Sequence, residues 1–272
     1  MITVLGAGGF IGRHLVAHFR VQGRRVAAVD RARLPEFMEG GEAGHVFYCI
    51  GLTADFRARP LETAEAHAGL LARVLQRGGF ESLLYLSSTR LYARAETTRE
   101  DAPIAVQPAA AGDLYAATKL AGEALCLSDP RPGIRVARLS NVYGHGMGEA
   151  TFLGQVLAEG TATGRVRLHQ GLLSAKDYIA LPDAVRLLTA IGLGGGARLY
   201  NVASGANTNH DALARVLNGA FGWQVTAAEG AAALRFPRID ITRASVEFGA
   251  PVHRILDDLP ALGRSHRQEV AC

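Results

Sequence analysis

Hydrophobic and polar positions along the chain alternate between two periods. Short apolar runs are separated by segments in which apolar residues recur every three or four positions. Ile2 to Leu5 is an apolar run that ends in glycines. Phe10 to Val21 has helical spacing, with Ile11, Leu15 and Phe19, joined by His18, on one side. Arg25 to Val29 reads as a strand closing at Asp30, and Val46 to Ile50 as another followed by Gly51. The Ala- and Leu-rich stretch from Leu61 to Leu75 predicts a helix. Leu83 to Leu86 predicts a strand ending in Ser87-Ser88-Thr89, Leu114 to Leu127 a helix, and Ile134 to Leu139 a strand before Asn141-Val142-Tyr143-Gly144. This alternation predicts an α/β fold, a doubly wound parallel sheet with helices on both faces. Right-handed crossovers then place ligands at the carboxyl edge of the strands.

Beyond Gly144 the pattern is less regular. Thr151 to Glu159, Asp183 to Ile191 and Asn207 to Phe221 read as helices, and Leu199 to Val202 as a buried strand. Gly192 to Gly196 is linker-like, and the polar tail from Gly263 to Cys272 is expected to be poorly ordered. No repeat or low-complexity tract interrupts the chain.

Composition adds exclusions. With 49% hydrophobic and 20% charged residues over 272 positions, the chain can bury a core. No run approaches the roughly eighteen apolar residues of a membrane span. Met1 to Leu5 lacks a basic leader and reads as a first strand rather than a signal peptide, so the cytoplasm is the expected location. Cys49, Cys126 and Cys272 have no metal-type spacing and are expected to be reduced thiols. His14 and His18 share a helix face but suggest no third ligand, so no metal is expected. The formal charge of +4 suits an anionic small molecule, and no basic stripe interleaved with aromatics suggests nucleic acid.

The first chemical motif is Gly6-Ala7-Gly8-Gly9-Phe10-Ile11-Gly12, between the first strand and the first helix. Glycines there allow a tight turn, close approach of backbone N–H groups to a pyrophosphate, and close packing of helix on strand. The helix N-terminus adds partial positive charge. Asp30, about twenty residues on, is placed to accept hydrogen bonds from an adenosine ribose and to repel a 2′-phosphate. NAD is therefore the expected cofactor, with NADP the alternative because Arg31 and Arg33 stand next to Asp30.

The second motif, Tyr115-Ala116-Ala117-Thr118-Lys119, puts a phenol and an ammonium on one helix face. An ammonium near a phenol favours the phenolate, which can take a proton from an alcohol while hydride leaves the same carbon. Ser88, at the end of a strand, can bond the reacting oxygen.

Together these residues resemble the extended short-chain dehydrogenase/reductase family, of the NAD-dependent epimerase/dehydratase type. GAGGFIG (Gly6 to Gly12), LSSTRLYA (Leu86 to Ala93), YAATK (Tyr115 to Lys119), RLSNVYG (Arg138 to Gly144), KDYIALPDA (Lys176 to Ala184) and YNVASG (Tyr200 to Gly205) follow one another in the family's order. The resemblance spans about Ile2 to Leu259. It implies a Rossmann-like domain over residues 1–145, to which residues 183–203 return, and a small substrate-binding region over residues 146–272. It implies Tyr115 as catalytic base, Lys119 as its partner and a nicotinamide-ribose ligand, and Ser88 as the catalytic hydroxyl. Gly6, Gly9, Phe10, Ile11, Gly12, Asp30, Arg31 and Gly51, with Tyr115 and Lys119, then hold the cofactor. Ser88, Thr89, Asn141, Lys176, Tyr178 and Arg238 are the substrate-binding candidates, for a nucleotide-diphosphate sugar. A homodimer through the Leu61–Leu75 and Tyr115–Leu127 helices is also implied.

Several departures from the family pattern bear on these expectations. Sugar 4,6-dehydratases of this type carry Asp-Glu where Thr89-Arg90 stand, which argues against water elimination here. Only the polar stretch Arg31 to Gly44 joins the second and next strands, so the family's third strand is expected to be missing. His67 replaces a helix Asn, and Lys176 replaces an Arg. The expected activity is alcohol–ketone hydride transfer, as an epimerase or ketoreductase. A ketone from secondary metabolism or lipid chemistry is the alternative substrate. A non-catalytic dinucleotide-binding regulator is the alternative of another class, since fold alone does not specify function.

Overall fold

The computed structural model describes residues 1–53, 55–110 and 112–271. The first half is built from β1 (Ile2–Leu5), α1 (Phe10–Val21), β2 (Val26–Val29), α2 (Leu34–Met38) and β3 (Gly44–Tyr48). Then come α3 (Pro60–Ala64), a π-helical turn (Glu65–Gly69), α4 (Leu70–Arg77), β4 (Phe80–Ser88), a 3-10 turn (Thr89–Arg94) and α5 (Asp113–Ser128). The chain continues with β5 (Ile134–Leu139), β6 (Asn141–Tyr143), α6 (Phe152–Thr163), β7 (Arg165–Leu168), β8 (Ala175–Ala180) and α7 (Leu181–Gly194). It closes with β9 (Leu199–Val202), β10 (Asn207–Asn209), α8 (His210–Phe221), β11 (Gln224–Ala227), α9 (Thr242–Phe248) and α10 (Ile255–Ala271).

Six strands form one parallel sheet in the order β2-β1-β3-β4-β5-β9. Successive side chains of a strand face opposite sides, and this divides the core in two. Leu84 and Leu86 of β4 join Leu15, Phe19, Leu188 and Ile191 of α1 and α7 on one face. Leu83 and Tyr85 join Leu71, Val74 and Cys126 of α4 and α5 on the other. No strand lies beyond β2 among the described residues. The short α2 is all that stands between β2 and β3, so β2 is the sheet edge, as the missing third strand implied.

A second core lies outside the sheet. Trp223, Tyr143, Leu157, Tyr178, Leu213 and Leu259 pack between α6, α8, α10 and the short strands. β8 lies between β6 and β10. Asp177 ties β8 to the turn after β9 by accepting from the backbone N–H groups of Ser204 (2.9 Å) and Ala206 (3.1 Å) and from the Ser204 hydroxyl (2.9 Å).

Two expectations need correction. The polar tail from Gly263 is helical to Ala271, because α10 packs on α8. Gly263 lies so close to Phe221 that a Cβ there would stand 2.5 Å from its ring. Cys272 lies outside the described residues. The stretch Leu61 to Leu75 is interrupted at Glu65–Gly69 by the wider π turn. Carbonyl groups of that turn are taken by buried tyrosines of the sheet. Tyr48 donates to Ala66 O at 2.7 Å and Tyr85 to His67 O at 3.1 Å. These hydroxyls satisfy groups that a regular ladder would have paired internally. Among the described residues no helix is long and apolar enough to cross a membrane. Cys49 and Cys126 are unpaired thiols.

Candidate active site

The strands of the main sheet all run one way, so their carboxyl ends share an edge, and the motif residues collect there. At the end of β1 the chain turns at Gly6, whose φ of +80° favours glycine. Gly12 lies directly over this turn: a Cβ there would stand 2.2 Å from Gly6 O. Only glycine lets α1 start this close to β1. Gly9 is the N-cap and no side chain caps the helix, leaving the N–H groups of Phe10 and Ile11 for an anionic ligand. An open cleft of about 320 Å³ beside the loop is lined by Ala7, Gly8, Arg13, Arg20, Ala28 and Asp30.

Asp30 Oδ1 accepts from the N–H groups of Ala32 (3.0 Å) and Arg33 (3.1 Å), so the acid also shapes the turn that follows β2. Arg31 is exposed next to it. Glycine turn, uncapped helix and an acid on the cleft wall fit a dinucleotide.

Across the edge, α5 carries Tyr115 and Lys119, both buried. The Tyr115 ring is enclosed by Phe56 at 5.4 Å, by His67 at 5.2 Å and perpendicular, and by the guanidinium of Arg90 at 5.5 Å. Burial raises its pKa, while the Ser88 side chain and the charge of Arg90 pull it back down. The sequence expectation had Lys119 as the cation acting on the phenol; here the nearby charge that lowers the phenol pKa is Arg90. Ser88 is held in place by accepting from the Arg90 N–H at 3.2 Å.

Lys119 Nζ donates to Leu86 O at 2.7 Å and lies 4.9 Å from the Tyr85 ring centre. Burial brings its pKa down to about 7, against the upward pull of Glu123 and Cys49. A Cβ on Gly51 would stand 3.2 Å from His67 Nε2 and 3.4 Å from Lys119 Nζ, so these three groups meet at one point. His67 Nε2 accepts from the Leu52 N–H at 3.3 Å, and its Nδ1 bonds Thr118 Oγ1 at 2.8 Å. Thr118 Oγ1 donates to Leu114 O at 2.9 Å, which makes Nδ1 the protonated nitrogen. Burial and the Lys119 charge hold the His67 pKa down to about 3.

One turn further along α5, Glu123 is fully buried against Arg138 of β5, with N–O distances from 2.6 to 3.1 Å. It also accepts from Ser87 Oγ at 2.5 Å. Arg138 donates to Tyr92 Oη at 2.7 Å. This network fixes α5 against β4 and β5, and with them the register of Tyr115 to Ser88. Sequence reasoning did not single out Phe56, Arg57, Glu123 or Tyr92. The YAATKLAGE and RLSNVYG segments held a signal for the Glu123–Arg138 pair: a carboxylate and a guanidinium within otherwise apolar core elements.

The substrate candidates divide. Lys176 is half-buried, its Nζ 5.2 Å from the Phe152 ring, and it lies near enough to Arg90 for the two charges to interact. Asn141 is exposed, but its amide donates to Asp177 O at 2.8 Å. Thr89 is buried and its hydroxyl donates to Leu139 O at 3.3 Å. Tyr178 packs in the second core with its hydroxyl enclosed. Arg238 is exposed and donates to Gly205 O at 2.5 Å. Geometry thus draws Ser88, Tyr115 and Lys176 toward Arg90 and turns Thr89 and Tyr178 inward.

Comparison with known proteins agrees with this geometry. The model of the NAD dependent epimerase/dehydratase family matches residues 2–203. No curated protein sequence matches the chain. Among solved structures, MoeE5 in complex with UDP-glucose and NAD is 21% identical, with a TM-score of 0.83 over 99% of both chains. RMD from Pseudomonas aeruginosa complexed with NADPH is 20% identical, with a TM-score of 0.81 over 98% of this chain and 100% of that one. A UDP-galactose 4-epimerase is 20% identical, with a TM-score of 0.80 over 99% of both. At these identities the likeness is one of fold.

Proposed function

The chain belongs to the NAD-dependent epimerase/dehydratase family, and from that premise we propose that it interconverts an alcohol and a ketone on a nucleotide-diphosphate sugar, as an epimerase or ketoreductase. The observation that carries this reading is the convergence of Ser88, at the carboxyl end of β4, and the buried Tyr115 of α5, with Arg90 over the Tyr115 ring, on the same sheet edge as the glycine turn. Backbone N–H groups at Phe10 and Ile11 would hold the cofactor pyrophosphate, with Gly6, Gly9 and Gly12 allowing the approach. Asp30, beside Arg31, would take the adenosine ribose, and Gly51 and Lys119 would hold the nicotinamide half. A bound nicotinamide supplies the acceptor, and then the donor, of hydride.

In this mechanism Ser88 donates a hydrogen bond to the reacting oxygen and aligns it with Tyr115. Tyr115 takes the alcohol proton as the ketone forms and returns it in the reverse direction. Lys119 is the candidate for the nicotinamide ribose, Asn141 and Lys176 for the substrate diphosphate, and Arg238 is a further substrate candidate. Water elimination is left out of the reading, because the turn after Ser88 offers an inward-facing Thr89 and the cation Arg90 where an acid–base pair of carboxylates would be needed. The same reading includes a homodimer through α3, α4 and α5, where Leu61 and Leu125 are exposed apolar side chains.

Titration with NAD and turnover assays of Tyr115→Phe test the proposal. The variant is expected to bind NAD as the parent does and to lose about a hundredfold or more in turnover. Undiminished turnover, or a parent protein that binds neither NAD nor NADP, overturns it.

A further inference from the structure

Phe56 is a fully buried ring that serves as a platform for two guanidinium groups. Arg57 lies 4.6 Å and Arg90 5.1 Å from its centre, and Phe56 itself packs on Tyr115. The tips of the two arginines converge. A Cβ on Gly112, at the start of α5, would stand 3.8 Å from Arg57 Nη2 and 4.0 Å from Arg90 Nη2.

Arg90 is half-buried, and its position is fixed at the backbone by Ser88 and by the neighbouring Thr89 hydroxyl on Leu139 O. Among the described residues neither Arg57 nor Arg90 has an ion-pair partner. Asp113, the carboxylate whose charge acts on Arg90, is already engaged by Arg94 and by the Gln107 N–H. Lys176 adds a third positive charge nearby. Like charges gathered in a partly desolvated site are unfavourable unless a ligand supplies the anion.

We propose that Arg90 and Arg57 form a carboxylate subsite beside Tyr115, so that the preferred substrate is an acidic sugar nucleotide of the uronate class. This rests on the reading of Tyr115 as the group that handles the reacting alcohol. A guanidinium packed on that phenol meets substituents within a few bonds of the reacting carbon. Arginine pairs with a planar carboxylate through two parallel hydrogen bonds, which a neutral hydroxymethyl group cannot match. Lys176 remains for the diphosphate, so the two anionic ends of the substrate meet different cations.

The experiment compares glucose and glucuronic acid, each as its UDP and dTDP derivative, with the NAD-loaded protein. Binding is read by calorimetry on Tyr115→Phe and turnover on the parent. The uronates are expected to be preferred, and Arg90→Gln to reduce that preference roughly tenfold to a hundredfold. Arg57→Gln should reduce it less, and Arg90→Lys should recover part of it. Equal or better use of the glucose derivatives, with a preference untouched by Arg90→Gln, overturns the subsite and leaves the role of Tyr115 standing. Equal losses on both sugars in Arg90→Gln, with the pH profile moved upward, also overturn it, because Arg90 then acts only on the Tyr115 proton. If NAD binds but none of the four sugars is bound or turned over, the sugar-nucleotide reading fails and the subsite fails with it.

Discussion

Lys119 Nζ donates its hydrogen bond to the carbonyl oxygen of Leu86, 2.7 Å away, and so ties α5 to the carboxyl end of β4. The bond crosses from α5 to the strand that carries Ser88. A backbone acceptor leaves the ammonium without a carboxylate in contact, so burial dominates and brings its pKa down to about 7.

This has a consequence for stability. An ordinary lysine titrates near 10.5, so between about pH 7 and 10.5 the unfolded chain binds a proton that the folded chain does not. Stability therefore rises with pH across that window. Urea denaturation of the cofactor-stripped protein at a series of pH values should show the rise, and Lys119→Met should flatten it. A parent whose stability shows no rise from pH 7 to 9 that Lys119→Met removes would mean that Lys119 stays an ammonium across that range.

His67 predicts an acid limb. Its folded pKa of about 3 lies below the ordinary 6.5, so in that interval the unfolded chain gains a proton first and stability falls as pH falls. In His67→Gln this part of the acid slope should shrink. By NMR the ring of the parent should remain neutral at pH 5, protonated on Nδ1; a charged ring at that pH contradicts the network with Leu52 and Thr118.

Gly122 sets the distance between α5 and the π turn. A Cβ there would lie 2.5 Å from Tyr85 Oη and 2.6 Å from His67 O. Gly122→Ala is expected to cost about 1–3 kcal/mol of stability, as overpacking of a fitted core does. It should also lower turnover, since Tyr115 and Lys119 move with α5 away from His67 on the π turn. An alanine variant with parental stability and activity would show that the two helices separate easily.

Leu61 on α3 is 82% exposed and Leu125 on α5 is 38% exposed, on the two segments through which the homodimer is proposed. Light scattering should give twice the monomer mass for the parent. The double variant Leu61→Arg, Leu125→Arg should give the monomer mass while still binding NAD. A monomeric parent removes the homodimer from the reading.

The sequence by itself determined the local elements and the chemistry they carry. Gly6 to Gly12, after a short apolar run and opening a helical period, read as a turn entering a helix, and the positive φ of Gly6 and the crowding at Gly12 agree. Tyr115 and Lys119 had to share a helix face, since four residues span about one turn. The short polar link from Arg31 to Gly44 left no room for the family's third strand, and the sheet order then shows β2 at the edge. These features depend on periodicity and on residue-specific backbone limits, which act over a few positions.

Tertiary structure alone decided which groups meet across the chain. The π turn at Glu65–Gly69 depends on hydroxyls of Tyr48 and Tyr85, far from it in sequence, and a helical repeat contains no sign of them. Lys119 looked from its spacing like the partner of the phenol, yet the depth of its pocket directs it to Leu86 O. Arg90 read from sequence only as the absence of a carboxylate. It became the cation against Tyr115 once the loop bearing Phe56 and Arg57 folded onto the same ring. Thr89 and Tyr178 matched a substrate-binding pattern but turn into the core, where packing outweighs motif. Contacts of this kind are set by the fit of side chains brought together by the sheet, and one-dimensional spacing carries no record of that fit.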